Sequence, residues 1–567
     1  MQRSTIPLAT ALRTSLRGYN FAIFRQDAVA GLIVSLLALP LAMALAIAVG
    51  LPPQHGIYTA IVAGTAAAIF GGSITQVSGP TAAFVVIVAP IVAEHGLHGI
   101  IWCSIMAGCM LIVMGTARFG RYINFVPYPV TTGFTAGIAV VIATLSLNDF
   151  FGLNLPPLKG EYIDKAATLL RSLPAFNPYE LSVGMVTLLL IFFFGRITRA
   201  IPTTVVGIAA GTLLAYLMTR YGIEIATIGS RFTYDIGQGL QHGIPPFPPQ
   251  FHWPTFVPGE LLTIPDYIEL KTLLVPAMVI AALAALESLL SATVADSMAG
   301  TRHDPNAELN GIGIANILSG LVAGIPATGA IARTAANVHS GAKTPIASVI
   351  HALLIMLYVL LLAPWIAYIP MASLAALLLV TAYRMSHIKQ FIRTIKIAPT
   401  SDTLVLLTCF LLTVFVDMVA GVSVGIVLAS LLFMKRISEL TEFNLDTGEF
   451  ADRTGISLPD NVMIYRIDGP LFFGTVEKAF DRYRFVHDHI DTLIIDMEHV
   501  PLIDMTGLVA MKSMLSGIAR EGRQVIVCGR KDVTRRILQK IDDSPARKHV
   551  RAVVSLKAAV ERIGKEK

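Results

Sequence analysis

Val77-Ser78-Gly79-Pro80-Thr81 and Ile325-Pro326-Ala327-Thr328-Gly329 are two short breaks in otherwise apolar sequence, in corresponding places of two halves of a hydrophobic region. Matched Gly/Pro interruptions mark the midplane site of membrane domains built as inverted repeats, because half-helices that start inside the bilayer aim their positive N-termini at a bound anion. Ser78, Gly79 and Pro80 let an extended stretch turn into helix, with Pro80 in the first turn where its missing N–H is harmless. Backbone N–H groups of Thr81, Ala82 and Ala83 are then expected to face the midplane, and those of Gly329, Ala330, Ile331 and Ala332 to do so from the other half. Two opposed helix ends supply roughly one positive charge without a buried lysine. The competing reading is that Gly and Pro only kink packed helices.

Composition places the chain in a membrane: 54% of its 567 residues are hydrophobic and 14% charged, and the mean hydropathy is +0.68. At ~20 apolar residues per crossing, the runs between residues 27 and 434 supply about fourteen spans, the two broken ones included. The formal net charge is +6, yet the bases are scattered through short loops, so no nucleic-acid partner is expected. Arg13, Arg17 and Arg25, then Arg118, Arg121, Arg196, Arg199, Arg302, Lys343, Arg384, Lys389, Arg393, Lys396, Lys435 and Arg436, fall on one side of a fourteen-span arrangement. The positive-inside rule makes that side, with both termini, cytoplasmic. The stretch 221–268, with few bases near the membrane, falls opposite. The first apolar run is long and reads as a retained span of a cell inner-membrane protein rather than a cleaved signal.

Glu287 is the sharpest single residue, because the run Ala277 to Ala292 holds no other ionisable group. A carboxylate in mid-span costs roughly 2.5–3.5 kcal/mol on insertion scales and usually faces a cavity or a coupling-ion path. Glu287 is expected to be a proton-coupling site, protonation removing repulsion against an incoming anion; structural pairing with Arg333 or capping by hydroxyls is the alternative. Arg333, one turn into the second half-helix, supplies fixed positive charge or a structural partner. Thr81, Phe84, Ser291 and Thr328 are hydroxyl or wall contacts, or helix-packing groups.

Other constellations carry no chemistry. Cys103, Cys109, Cys409 and Cys528 lack ligand or redox spacing and read as small buried residues. His487-Asp488-His489 reads as a solvated helix face, not a metal site. Gly341-Ala342-Lys343-Thr344 lacks the upstream glycine and strand of a phosphate loop. No cofactor, metal or catalytic constellation is expected.

After Arg436 the pattern changes. β-rich runs at Met463–Ile467, Thr492–Ile495, Gln524–Val527 and Val550–Val554 alternate with amphipathic segments, predicting a soluble α/β domain of about 105 residues. Residues 437–460 read as a linker. Asp504, in Ile503-Asp504-Met505-Thr506-Gly507, is placed to cap a helix N-terminus.

The chain resembles the sulfate permease (SulP/SLC26) anion transporters with their C-terminal STAS domain. The resemblance rests on Asp27-Ala28-Val29-Ala30-Gly31, Pro53-Gln54-His55-Gly56-Ile57-Tyr58, Ser78-Gly79-Pro80-Thr81, Glu287-Ser288-Leu289-Leu290, Arg333-Thr334-Ala335-Ala336-Asn337 and Gly341-Ala342-Lys343-Thr344-Pro345. It implies an N-terminal segment (1–23), a transmembrane domain (24–436) of seven-plus-seven inverted repeats in core and gate parts, the linker, and a STAS domain (461–567). Leu39 to Ala46 is most similar to bacterial C4-dicarboxylate members of the DauA type. Leu41 stands where many sulfate-transporting relatives have Gln, which turns the expectation away from sulfate. His55 stands where the signature usually has Tyr and reads as a structural replacement. The resemblance also implies a homodimer, a proton or sodium role for Glu287, and a phosphorylatable Thr506 in a domain that meets a cytoplasmic protein partner.

The function expected is secondary, proton-coupled uptake of a small anion across the lipid bilayer, with C4-dicarboxylates such as succinate, fumarate and aspartate foremost. Sulfate:proton symport, sodium-coupled bicarbonate import, a passive channel and a non-transporting scaffold are the alternatives.

Overall fold

The computed structural model describes the chain except residues 1–6, 122–126, 157–159, 198–200, 236–238, 256, 258–259, 447–457, 477–489 and 566–567. The chain forms two compact units, 1–426 and 427–567.

The first unit is helical. Its membrane elements are α1 (Phe21–Ala48), α2 (Pro53–Phe70), the strand β1 (Ser78–Gly79), a 3-10 turn (Ala82–Phe84) running into α3 (Val85–Thr116), α4 (Tyr128–Phe150), α5 (Pro178–Phe193) and α6 (Thr203–Arg220). The second half repeats the plan with α7 (Tyr267–Ala299), α8 (Pro305–Leu321), β2 (Thr328–Gly329), α9 (Ile331–His339), α10 (Ile346–Ile366), α11 (Met371–Met385), the short α12 (Ile388–Ile397), α13 (Thr400–Phe415) and α14 (Met418–Glu439), which begins in this unit and continues into the second. Among the described residues, nine helices are long and apolar enough to cross a membrane. Gly96 takes a non-helical conformation (φ 62°, ψ −158°) that divides α3 into a half-helix and a full span. With that division and the shorter α2, α8, α9 and α13, the fourteen expected segments are present, seven in each half.

The helices sort into two groups. α1, α2, α3, α7, α8, α9 and α10 pack around the two strands, while α4, α5, α6, α11 and α13 pack on one another. Small residues set a close crossing of α3 and α8: a Cβ on Gly108 of α3 would lie 2.5 Å from the Gly313 carbonyl of α8, and one on Gly313 would lie 2.7 Å from the Gly108 carbonyl. Lipid offers no hydrophobic drive between helices, so backbone approach of this kind supplies the packing. Gly108→Val is expected to cost at least ~1–3 kcal/mol through overpacking, read as a lowered melting temperature of the detergent-solubilised protein; an unchanged melt would contradict the crossing.

The second unit is a five-stranded sheet in the order β3 (Glu442–Asp446), β4 (Val462–Asp468), β5 (Thr492–Met497), β6 (Gln524–Gly529), β7 (Val550–Val553). β3 is antiparallel to β4 and the other pairs are parallel. Parallel strands are buried on both faces. One face carries Tyr465, Leu493, Ile495 and Val527 against Met511, Leu515 and Ile518 of α15 (Met505–Arg520) and Ile537 of α16 (Lys531–Ile541). The other carries Ile464, Ile494 and Ile526 against Leu556, Ala559 and Val560 of α17 (Leu556–Lys565). All four sequence-predicted strands are present. The segment 437–460, read as a linker, needs correction: Glu442–Asp446 is an edge strand paired from Glu442↔Asp468 to Asp446↔Ile464. Sparse apolar residues hid it, since an edge strand needs only Phe443 and Leu445 against the core.

Cys103, Cys409 and Cys528 are buried as expected, but Cys109 is exposed on α3. Burial first, then the carboxylates of Asp496 and Glu498, push the Cys528 thiol up, which leaves it unreactive. The His487-Asp488-His489 cluster and Arg199 lie outside the described residues.

Candidate functional site

The two broken segments meet as an antiparallel pair, with Ser78 opposite Gly329 and Gly79 opposite Thr328. The chain leaves this pairing in opposite directions, so the helices beginning at Ala82 and Ile331 both have their N-termini at the centre. Thr81 and Ala330, the residues before them, offer no side-chain cap. The first turn-forming bonds are Phe84 N to Thr81 O (3.2 Å) and Thr334 N to Ala330 O (2.8 Å). The N–H groups of Ala82, Ala83, Ile331 and Ala332 precede those bonds and have no intrahelical acceptor. The sequence expectation needs correction at two positions. Gly329 N donates to Ser288 Oγ of α7 at 3.0 Å and Ala330 N to Val77 O of the opposite half at 2.9 Å, so a helix hydroxyl and the strand pairing each consume a donor that a simple helix start leaves free.

Glycine is required at both strand tips. Gly79 has φ +149°, and a Cβ there would lie 2.8 Å from Arg333 Nη1; a Cβ on Gly329 would lie 2.2 Å from Gln76 Nε2.

Glu287 is half-buried on α7, and its Oε2 accepts the Thr81 hydroxyl at 2.9 Å. The carboxylate therefore touches the residue that opens the first half-helix. It forms no ion pair with Arg333 among the described residues. Arg333 is 4% exposed and donates Nη2 to Pro80 O at 2.5 Å. The cation thus lies under the strand tip of the opposite half, charging the site from behind rather than lining it. Ile331 is 38% exposed and Ala332 is exposed with it, so these two present the second helix end.

Several named residues pack rather than face open space. Ala82, Ala83 and Phe84 are buried. Thr328 is fully buried, bonded to Ser288 Oγ (2.8 Å) and Ala284 O (3.1 Å). Ser291, expected beside Glu287, is buried and donates to Thr334 Oγ1 at 3.2 Å; Thr334 in turn receives Val77 N at 3.0 Å. Leu41 is half-buried and packed with Ile191, Ile208, Leu377 and Val380 in the seam between the two helix groups.

The frame around the strands comes from buried polar residues, of which Glu308, Asn316 and Thr59 carry no sequence expectation. Glu308 accepts from Gly72 N (2.9 Å), Ser73 N (3.0 Å) and Gln76 Nε2 (2.7 Å). Asn316 grips Ala327 through both backbone groups, at 2.9 and 2.8 Å. Thr59 accepts Ile325 N at 2.7 Å, and His55 Nδ1 meets Ala323 O at 2.6 Å, the structural role expected of it. Asp27 takes Lys343 N (2.7 Å), Thr344 N (3.1 Å) and Thr344 Oγ1 (2.6 Å). The sequence signal for Glu308 was its place in an apolar helix, the same signal that marked Glu287.

In the second unit Asp504 caps α15 as read, accepting Gly507 N at 2.7 Å, and Thr506 is exposed in its first turn. Asp504→Ala is expected to cost about 1 kcal/mol of domain stability, checked by denaturant unfolding of the soluble unit followed within the full chain.

Fourteen membrane segments in two matched halves, with two half-helix ends and a buried cation converging on one carboxylate, define an inverted-repeat anion transporter. Residues 24–409 match the family model described as Sulfate permease family, and residues 456–545 the STAS domain; the chain belongs to the sulfate permease family. It is 35% identical over 92% of its length, and 95% of the other's, to YvdB of Bacillus subtilis (strain 168), provisionally named a sulfate transporter. It is 29% identical to the bicarbonate transporter BicA of Picosynechococcus sp., covering 92% of this chain and 91% of BicA. The murine Slc26a9 anion transporter superposes with a TM-score of 0.83 at 18% identity, over 100% of this chain and 96% of that one, a likeness of fold. The protein is accordingly a multi-pass membrane anion transporter with a STAS domain, not an enzyme.

Proposed function

We propose that the protein couples entry of a small dianion to a proton, with Glu287 as the proton-carrying group. The observation that carries this is the Thr81–Glu287 hydrogen bond, which places the carboxylate on the first half-helix end. Two helix termini count as about +0.5 each and Arg333 as +1. The site therefore offers about +1 with Glu287 ionised and about +2 with it protonated. A dianion is matched only in the protonated state, so anion and proton enter together. Ala82, Ala83, Ile331 and Ala332 would supply N–H donors to the anion, with Ser78, Gly79, Thr328 and Gly329 shaping the tip. C4-dicarboxylates are the substrate class we place first, on the sequence resemblance. The names of YvdB and BicA favour sulfate and bicarbonate as the second reading. Bicarbonate, a monoanion, matches the +1 state with Glu287 ionised, so that reading takes up no proton at this site.

The same reading places the protein in the inner membrane with both termini cytoplasmic, and as a homodimer on family resemblance. It assigns Thr506, at a helix start that would stabilise a phosphate, to regulation through a protein partner of the STAS domain. The test is uptake of labelled succinate, fumarate, sulfate and bicarbonate into proteoliposomes under an imposed inward proton or sodium gradient. Proton-driven succinate or fumarate accumulation supports the reading. Proton-driven sulfate alone changes the substrate, sodium-driven bicarbonate overturns the coupling, and absence of flux overturns transport.

A further inference from the structure

α12, Ile388–Ile397, joins two membrane helices, α11 and α13, and reads Ile-Lys-Gln-Phe-Ile-Arg-Thr-Ile-Lys-Ile. Ile388, Phe391, Ile392 and Ile395 recur at i, i+3, i+4 and i+7, which puts them on one stripe. Lys389, Arg393 and Lys396 recur at i, i+4 and i+7 and form a second stripe beside it. Ile388, Ile392, Ile395 and Ile397 are 49%, 46%, 38% and 67% exposed. The three bases are exposed as well, and none has an acidic partner among the described residues. His387, left-handed at φ 43°, breaks the helix between α11 and α12, so α12 is not a continuation of the span. The Phe391 ring lies 5.4 Å from that of Phe410 on α13, which fixes how the helix is rotated against its neighbour.

An exposed isoleucine stripe tethered at both ends to membrane segments has one solvent available that is apolar, the acyl region below the headgroups. A basic stripe next to it then stands at the level of the phosphates. We propose that α12 lies in the membrane interface and that Lys389, Arg393 and Lys396 form a binding site for the headgroups of anionic phospholipids. Such a lipid would tie the α11 and α13 ends together, which goes beyond the anion-transport reading and does not depend on it. Each base near an anionic surface favours the lipid roughly fivefold, so three together give a preference on the order of a hundredfold.

The test places a tryptophan on the apolar stripe, Ile392→Trp, in the full chain reconstituted into vesicles of phosphatidylcholine and phosphatidylglycerol, one or the other carrying brominated acyl chains. The parent chain, with its three native tryptophans, supplies the background. The expected result is added quenching by brominated lipid, stronger from brominated phosphatidylglycerol. That preference should fall with added salt, because exposed charges are screened, and nearly vanish in K389Q/R393Q/K396Q. No added quenching from either lipid would mean that protein, a second copy included, covers the stripe, and would overturn the proposal. Equal quenching by the two lipids, or a preference untouched by both salt and the triple substitution, would overturn the headgroup site. If the triple variant fails to fold, the salt titration decides.

Discussion

Glu287→Gln is expected to abolish proton-driven accumulation while leaving anion exchange across the membrane within a few-fold of the parent protein. The amide keeps the size of the carboxylate and can still accept the Thr81 hydroxyl that Oε2 now receives at 2.9 Å. What it cannot do is ionise. The site is then held near +2 throughout the cycle, so the anion binds and leaves without a proton moving. One pH unit corresponds to about 1.4 kcal/mol, or about a tenfold gradient for one proton per anion at zero membrane potential. The accumulation ratio should therefore drop from about ten to about one per unit of imposed pH difference. Counterflow of preloaded anion, which needs no coupling, should persist. Accumulation that survives the substitution would remove Glu287 from the coupling step and transfer the search to another carboxylate. Loss of both readouts would make Glu287 structural. Glu308, which is bonded on three sides by Gly72, Ser73 and Gln76, is the contrasting case: Glu308→Gln should lower protein yield and stability, since a buried acceptor of three donors is being weakened.

How much of the fold and site is legible in the sequence follows from the range of each interaction. The half-helix starts were legible because Ser78-Gly79-Pro80 and Thr328-Gly329 are local backbone chemistry, and local chemistry is written in adjacent residues. Glu287 was legible because a lone carboxylate in an apolar run needs no partner to stand out. The four parallel strands of the second unit showed as β-rich runs for the same reason. What escaped depends on pairing across long stretches of chain. That Ala330 spends its N–H on Val77 is a consequence of strand pairing between the halves, and that Gly329 spends its own on the Ser288 hydroxyl of α7 is a contact across forty-one residues; neither segment announces these alone. Asp27 and the Gly341–Pro345 loop were each quoted as motif residues, yet nothing in either indicated that the carboxylate of one caps the backbone of the other. The partners of Leu41 in the seam are not legible either, because a leucine on a helix buried on most sides gives no sign of which group of helices it meets. The edge strand Glu442–Asp446 was missed because half its residues face away from any core.

Arg333→Gln is expected to raise the KM for the transported anion by about 10- to 100-fold, the equivalent of about 1.5–3 kcal/mol for a charge-assisted interaction. Arg333 acts through position. Its guanidinium is buried, holds Pro80 O at 2.5 Å and lies close enough to Gly79 that a Cβ there would come within 2.8 Å of Nη1. It therefore does two things: it puts a full positive charge behind the two helix ends, and it fixes the strand tip from which the first half-helix starts. The two contributions separate by substitution. Arg333→Lys keeps the charge but loses the planar guanidinium and most of its reach to Pro80. If charge dominates, Lys should recover most of the anion affinity and Gln none, with little change in maximal rate for Lys. If the grip on Pro80 dominates, Lys and Gln should be equally impaired, with lowered thermal stability in both. KM, maximal rate and melting temperature measured on the three forms distinguish these outcomes, and an unchanged KM in Arg333→Gln would take the cation out of the anion site. We expect the first pattern, because without the cation two helix ends of about +0.5 each offer a dianion only about +1 even with Glu287 protonated, half the charge it needs.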